Sequence, residues 1–202
     1  MSEAPAVFIV DDDPSVLRAT QRVMRAAGLE ARTFASAGEY LDAYDPEVPG
    51  CLVLDLSMPG VNGLELQQAL VSRGGAPVIV FMSGRADVPA SVEAMKGGAV
   101  EFLVKPVDAR TLLGAVLSAL EKDRERRDAR AGRERVERRL ATLTPREMQV
   151  LRGVVSGKLN KQIAADLGTA EKTVKIQRAR AMAKMEVRSV AELVQAVALA
   201  GS

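Results

Sequence analysis

Four short apolar runs and one alternating segment, at 6–10, 30–34, 51–54, 77–82 and 101–104, are separated by stretches with helical spacing. No other feature restricts the fold as much. Strand and helix in alternation, five times over, imply a parallel sheet covered on both faces. The middle run, Cys51-Leu52-Val53-Leu54, is apolar at every position and ends in Asp55, with Pro59-Gly60 turning the chain after it. A continuous apolar run of this length, bounded by turn signals, predicts a strand buried on both sides. Asp55 then stands at the carboxyl end of a central strand, the edge where ligands bind in open α/β sheets.

The intervening stretches carry helix signals. Asp13 suits an N-cap and Pro14 the first helical position, with Val16, Leu17, Thr20, Val23, Met24 and Ala27 at helical spacing and Gly28 as the stop. Ser36-Ala37-Gly38-Glu39 reads as a capping box, and Asp45-Pro46 with Pro49-Gly50 as a loop. Helices are expected at 63–71, at 88–95, and from Asp108 through Leu112, Leu113, Val116, Leu117 and Leu120. Crossovers between parallel strands are right-handed almost without exception. The expected fold class is a five-stranded doubly wound parallel sheet of flavodoxin-like order 2-1-3-4-5, with a small all-α domain after it.

Four strand ends carry polar groups: Asp11-Asp12 after the first, Asp55 after the third, Ser83 after the fourth and Lys105 after the fifth. In a parallel sheet these share one edge. Three carboxylates there repel one another, and a hard divalent cation relieves that repulsion; Mg²⁺ accepts a few carboxylates, a carbonyl and several waters. A lysine and a hydroxyl beside it suit a phosphoryl group, and a carboxylate can act as the nucleophile that receives one.

Composition removes rival chemistries. There is no histidine, so imidazole acid–base catalysis and nearly every zinc site are excluded. A single cysteine, Cys51, rules out an internal disulfide and is expected to be a small core residue. No apolar run approaches the roughly 18 residues that span a bilayer, and no signal peptide is visible, so a cytoplasmic protein without a membrane partner is expected. Residues 1–120 hold 15 acidic and 9 basic residues, 121–139 hold 6 and 9, and 140–202 hold 5 and 10. An acidic first part and a basic last part suggest modules with different partners, the basic one suited to nucleic acid.

From 121 to 139 nearly every residue is charged, with Gly132 as a weak point. Two readings stand: a solvated helix or flexible linker, or a continuous extension of the Asp108 helix whose only candidate seam is Leu117, Leu120, Val136, Leu140 and Leu143. Beyond it come short helices. Thr144-Pro145-Arg146-Glu147 opens the first, Gly157 closes it, and 160–167 and 171–185 are separated by Gly168-Thr169-Ala170. A helix, a short turn with glycine and a basic helix make the helix-turn-helix plan. A fourth helix is expected at 189–200. Val174, Ala181 and Met185 are expected to face the core. Lys172, Lys175, Ile176 and Ala179 are candidates for the groove-facing side, Lys161, Arg178 and Arg180 for phosphate contact, and Thr173 and Lys184 are further DNA-binding candidates.

Two resemblances follow from these motifs. Val10-Asp11-Asp12-Asp13, Asp55 through Pro59, Met82-Ser83-Gly84 and Phe102 through Pro106 resemble the receiver domain of bacterial two-component response regulators, over roughly 5–120. The resemblance implies that Asp55 is the phosphoacceptor. It implies that Asp11, Asp12, Asp55 and the backbone carbonyl of Ser57 hold Mg²⁺ (or Mn²⁺), with Asp12 the more direct ligand. Ser83 and Lys105 would contact the phosphoryl group, and Phe102 would turn inward with Ser83. Leu143 through Leu151, Gly157 through Ala164, Thr173 through Met185 and Ser189 through Leu193 resemble the LuxR/FixJ-type helix-turn-helix. Together the modules resemble a response regulator of the FixJ/NarL group, nearer the FixJ side.

The resemblance implies a receiver at 1–120, a charged helical linker at 121–140 and a DNA-binding domain at 141–202. A separate sensor histidine kinase would supply the phosphoryl group, since this chain has no histidine. Phosphorylation would promote homodimerisation and binding to double-stranded promoter DNA, with RNA polymerase a further partner such a regulator allows. No enzyme is expected. Two rival readings are a phosphorylation-independent DNA-binding regulator and an aspartyl-phosphate phosphatase. Haloacid-dehalogenase-type phosphatases carry a second Asp two residues after the nucleophile, where this chain has Ser57.

Overall fold

A computed structural model of the chain describes residues 4–75, 77–84 and 88–200. The chain divides into two compact units, Met1–Arg126 and Arg127–Ser202.

The first unit alternates strand and helix: β1 (Ala6–Val10), α1 (Pro14–Ala26), β2 (Glu30–Phe34), α2 (Ala37–Ala43), β3 (Gly50–Asp55), α3 (Gly63–Ser72), β4 (Val78–Ser83), α4 (Val88–Lys96) and β5 (Glu101–Val104). The sheet order is β2-β1-β3-β4-β5, as expected, and every pairing is parallel. The register runs Val10 beside Leu54, Asp55 beside Met82 and Ser83 beside Val104. The carboxyl ends of β1, β3, β4 and β5 therefore meet along one edge.

Side-chain alternation divides the core into two layers. Val7, Ile9, Val53, Val80 and Met82 meet Met24, Leu112, Val116 and Ala119 on one face. Val10, Leu52, Leu54, Ile79 and Phe81 meet Tyr40, Leu66, Leu70 and Ala94 on the other. All six residues of β3 are buried, which is why its sequence shows no polar alternation. Burial of each large aliphatic side chain contributes about 1.5–3 kcal/mol. Phe8, Phe34, Tyr40 and Tyr44 form a ring cluster, with centroid separations of 5.2–6.5 Å. Gly50 is not part of the preceding loop, as Pro49-Gly50 suggested, but opens β3. A Cβ there would stand 2.0 Å from the carbonyl oxygen of Ala6, so only glycine lets β1 and β3 start side by side.

Helix starts follow local chemistry. The Asp13 carboxylate accepts the amide of Ser15 at 2.7 Å and Pro14 opens α1. At α2 the Ser36 hydroxyl accepts the Glu39 amide, while the Glu39 carboxylate reaches past the cap to the amide of Ala35. Asn62 and Glu65 make the reciprocal capping box of α3.

Residues 121–139 are helical. α5 runs from Ala109 to Ala141, opened by Asp108, which accepts the Thr111 amide at 3.0 Å. Ion pairs such as Arg130–Glu134 line its exposed sides. The candidate seam is not one seam. Leu120 packs on the sheet core, Leu117 is exposed, and Val136, Leu140 and Leu143 belong to the core of the second unit.

In the second unit, α6 (Pro145–Val155), α7 (Asn160–Asp166), α8 (Glu171–Lys184) and α9 (Val190–Ala200) enclose Val150, Leu151, Val154, Ile163, Val174, Met185 and Leu193. Thr144 and Glu147 form a capping box at α6, and Pro145 takes the first turn.

Candidate functional site

The edge formed by the carboxyl ends of the strands brings Asp11, Asp55 and Lys105 into direct contact. Asp55 is the last residue of β3 and is 4% exposed; Asp11 follows β1 and is 1% exposed. Lys105, just after β5, donates from Nζ to Asp11 Oδ2 at 2.6 Å and to Asp55 Oδ1 at 2.5 Å. Asp55 Oδ2 accepts the Ser57 amide at 2.8 Å, and Asp11 Oδ1 accepts the Asp13 amide at 2.9 Å. Burial pushes the Asp11 carboxyl above the usual range, against the opposing pull of Lys105 and the Asp13 amide. Burial also works against the Lys105 ammonium, but its hydrogen bonds to Asp11 and Asp55 prevail and hold its pKa above the ordinary lysine value.

Glycine brings a helix to this edge. A Cβ on Gly63, the first residue of α3, would lie 2.5 Å from the Asp55 carbonyl oxygen. The start of α3 thus packs directly against the end of β3.

Ser83 closes β4 and is 1% exposed; its carbonyl accepts the Lys105 amide at 2.7 Å. Phe102 is half-buried on β5, its ring centroid 6.4 Å from that of Phe81. Asp12 is exposed beside Asp11. Cys51 is buried in β3, and burial pushes its thiol up to about 12, so it is a core residue rather than a nucleophile.

Two buried carboxylates face one ammonium, leaving excess negative charge at an edge where Asp12 adds a third carboxylate. Among the described residues no group of three Asp, Glu, His or Cys side chains is drawn together tightly enough to cage a metal. Mg²⁺ does not need such a cage, because it keeps several waters and takes one or two carboxylates. The oxygen-only donor set, the charge excess and the exposed flank at Asp12 fit such an ion.

On the second unit, Lys172, Thr173, Lys175, Ile176, Ala179 and Arg180 are exposed on α8, while Val174 and Ala181 are buried. Ile176 is 46% exposed on this helix. Lys161 is exposed on α7. Lys175 pairs with Glu171 at 3.1 Å one turn back, and Arg178 donates to Asn160 Oδ1 at 3.1 Å, tying α8 to α7.

Lys184, at the end of α8, is engaged within the unit. Its Nζ donates to Glu147 Oε2 at 2.6 Å and to the Thr142 carbonyl at 3.1 Å. It therefore clamps α8 to the start of α6. The Lys184 ammonium and the Thr144 amide hold the Glu147 carboxyl down to about 2.

Sequence reasoning placed Glu147 and Gly63 at helix starts but not their tertiary contacts, and it missed Asp123. Asp123 is 2% exposed, and its Oδ2 accepts the Gly50 amide at 2.9 Å. The signal for it was its place on the stripe Leu112, Val116, Ala119, Asp123, which keeps the core-facing helical spacing.

No helix among the described residues is long and apolar enough to cross a membrane. The response regulator receiver domain matches residues 7–117, and the bacterial regulatory proteins of the luxR family match residues 141–197. Nodulation protein W of Bradyrhizobium diazoefficiens is 46% identical over 189 residues, covering 94% of this chain and 83% of that protein. The transcriptional regulatory protein FixJ of Azorhizobium caulinodans is 41% identical over 201 residues, covering 100% of this chain and 95% of that protein. The solved structure of the response regulator StyR has 45% identity and a TM-score of 0.88, covering 97% of this chain and 99% of that one. Full-length FixJ from B. japonicum has 34% identity and a TM-score of 0.59, covering 98% and 97%. The chain thus belongs to the NarL/FixJ family of response regulators and is a two-component DNA-binding transcriptional regulator.

Proposed function

We propose that Asp55 accepts a phosphoryl group from a separate sensor histidine kinase, and that this modification promotes dimerisation and promoter binding. The observation that carries the reading is the Lys105 ammonium shared between the buried carboxylates of Asp11 and Asp55. One Asp55 oxygen attacks phosphorus; the P–N bond of the donor's phosphohistidine breaks, and the imidazole leaves with the bonding pair. Lys105 is already at the nucleophile and moves with the incoming group, neutralising charge on its oxygens. Asp12, Asp11, Asp55 and the Ser57 carbonyl would hold Mg²⁺ (or Mn²⁺). When bound, that ion neutralises charge on the transferred group.

Ser83 donates to the phosphoryl group, and Phe102, packed on Phe81, follows it inward. In this reading 1–120 is the phosphoacceptor domain, 121–140 the linker and 141–202 the DNA-binding domain. Lys172, Thr173, Lys175, Ile176 and Ala179 enter the major groove, and Lys161, Arg178 and Arg180 contact phosphates. RNA polymerase is a downstream partner, and the protein works in the cytoplasm without turning over a substrate of its own. The phosphoryl group need favour the active state by only a few kcal/mol.

The test is intact mass after incubation with an acyl phosphate and Mg²⁺, followed by selection of bound DNA with and without beryllofluoride. Wild type gains one phosphoryl group and Asp55→Asn gains none. Beryllofluoride tightens DNA binding by roughly tenfold or more. An Asp55→Asn protein that binds DNA as tightly as the activated wild type would overturn the reading in favour of a phosphorylation-independent regulator.

A further inference from the structure

Asp13 is bonded through its amide, its carboxylate and its carbonyl. The amide donates to Asp11 Oδ1 at 2.9 Å. The carboxylate accepts the Ser15 amide at 2.7 Å, and the carbonyl accepts the Leu17 amide at 3.1 Å as α1 begins. Asp13 is thus the extended N-cap of α1, with φ −90° and ψ 110°, and at the same time a partner of the buried Asp11 carboxylate. Asp11 and Asp13 repeat one step: each accepts the amide two residues on, in the manner of an Asx-turn. Asp55 accepts the Ser57 amide in the same way, at 2.8 Å, but Ser57 lies in the loop before the α3 cap, Asn62. Asp11, by contrast, is tied directly to a helix start.

The other oxygen of Asp11 meets the Lys105 ammonium at 2.6 Å. Lys105 is long and rotatable, and a cation at this edge repels its ammonium. The Asp13 amide has no such freedom, because the cap fixes the backbone that carries it. A cap of this kind needs a short side-chain oxygen, which Asp, Asn and Ser supply and Ala does not. Resting on the metal-assisted phosphorylation reading above, we propose that Asp13 is a positioning residue. By capping α1 it holds its own amide on Asp11, and so keeps the Asp11 carboxylate aimed for a divalent cation. The role belongs to the hydrogen-bond geometry of Asp13 and not to its negative charge. Outer partners that orient a metal-binding carboxylate act on metal affinity in this way.

Binding of Mn²⁺ to the full-length chain, followed by loss of the free-ion electron paramagnetic resonance signal, tests this with a crossed pair of variants. Asp13→Asn keeps the capping oxygen and removes the charge. Asp13→Glu keeps the charge but carries it too far out to accept the amide two residues on. Asp13→Asn is expected to bind Mn²⁺ within about twofold of wild type, and Asp13→Glu and Asp13→Ala roughly five- to tenfold more weakly. The amide at position 13 is expected to exchange with solvent faster in the two weakened variants and not in Asp13→Asn. Weakening in Asp13→Asn as large as in Asp13→Glu, or wild-type affinity in Asp13→Glu, overturns the proposal. If amides of β3 and β4 also exchange faster in Asp13→Ala, that variant has lost the fold, and Asp13→Asn against Asp13→Glu decides. A wild type that binds no Mn²⁺ overturns the proposal along with the metal assignment. A wild type that binds Mn²⁺ but takes no phosphoryl group at Asp55 from an acyl phosphate refutes the phosphorylation reading alone, and the crossed pair still judges Asp13.

Discussion

The Lys105 ammonium meets the Asp55 carboxylate at 2.5 Å although their strands, β5 and β3, are not neighbours. It reaches across the end of β4 and touches Asp11 beyond β3 as well. One cation thus reaches from β5 to two carboxylates at the ends of the adjacent strands β1 and β3, neither of which pairs with its own strand. Its removal leaves two buried negative charges facing each other. Lys105→Met is expected to lower receiver stability by about 2 kcal/mol, and added Mg²⁺ to restore much of it. Asp55→Asn relieves the charge excess, so without Mg²⁺ it is expected to be at least as stable as wild type. Urea titrations with and without Mg²⁺ check both, and a clearly destabilised Asp55→Asn would contradict the charge argument.

Gly63 gives a steric prediction. A methyl group there would sit 2.5 Å from the Asp55 carbonyl oxygen and 3.0 Å from the Phe81 ring. Gly63→Ala is expected to cost about 1–3 kcal/mol, as overpacked cores do. Because the displaced atoms include the Asp55 backbone, acyl-phosphate labelling should slow together with the loss of stability. Unimpaired labelling in a destabilised variant would mean that α3 yields and β3 does not.

Glu147 gives the second unit its own acid sensitivity. Its folded-state pKa is depressed to about 2 from an ordinary 4.5. A carboxylate with a lowered folded pKa contributes stability that is complete above the unfolded value and is lost as the pH falls toward the folded one. The helical unit is therefore expected to weaken between about pH 4.5 and pH 2. Far-ultraviolet circular dichroism of wild type and Glu147→Gln across that window checks it. The variant should start less stable and lose less on acidification.

The α8 surface separates positioning from specificity. Lys161→Gln should weaken all DNA sequences alike and reduce the slope of log affinity against log salt by about 1. Ile176→Ala should instead alter preference at one position of the selected site, where a thymine methyl is the natural contact. Lys184→Gln should lower the melting temperature without changing either slope or preference, since its ammonium is engaged by Glu147 and Thr142.

These predictions rest on residues that differ in how plainly the sequence displays them. Asp55 is visible because a strand buried on both faces leaves an uninterrupted apolar run, and the carboxylate that ends it stands out. Asp11 and Lys105 follow from the same rule once the strands are parallel. Gly50 is misleading because a Pro-Gly pair signals a turn, while the need for glycine comes from Ala6 on another strand. Asp123 hides among charged neighbours, although it keeps the core-facing spacing set by Val116 and Ala119. Lys184 shares the basic helix with the groove-facing candidates, and only the fold brings Glu147 within 2.6 Å of it. The coiled seam fails because Leu120 and Val136 serve different cores.

All six aromatic residues, the four of the Phe8 cluster with Phe81 and Phe102, lie in the first unit, and the chain has no tryptophan. Tyrosine emission and near-ultraviolet dichroism consequently report on the sheet unit and are blind to the helical one. Far-ultraviolet dichroism sees both. The two signals from one unlabelled sample can therefore follow the units through separate melting transitions, with Tyr40 and Tyr44 serving as a reporter that evolution has already confined to the half of the chain containing Asp55.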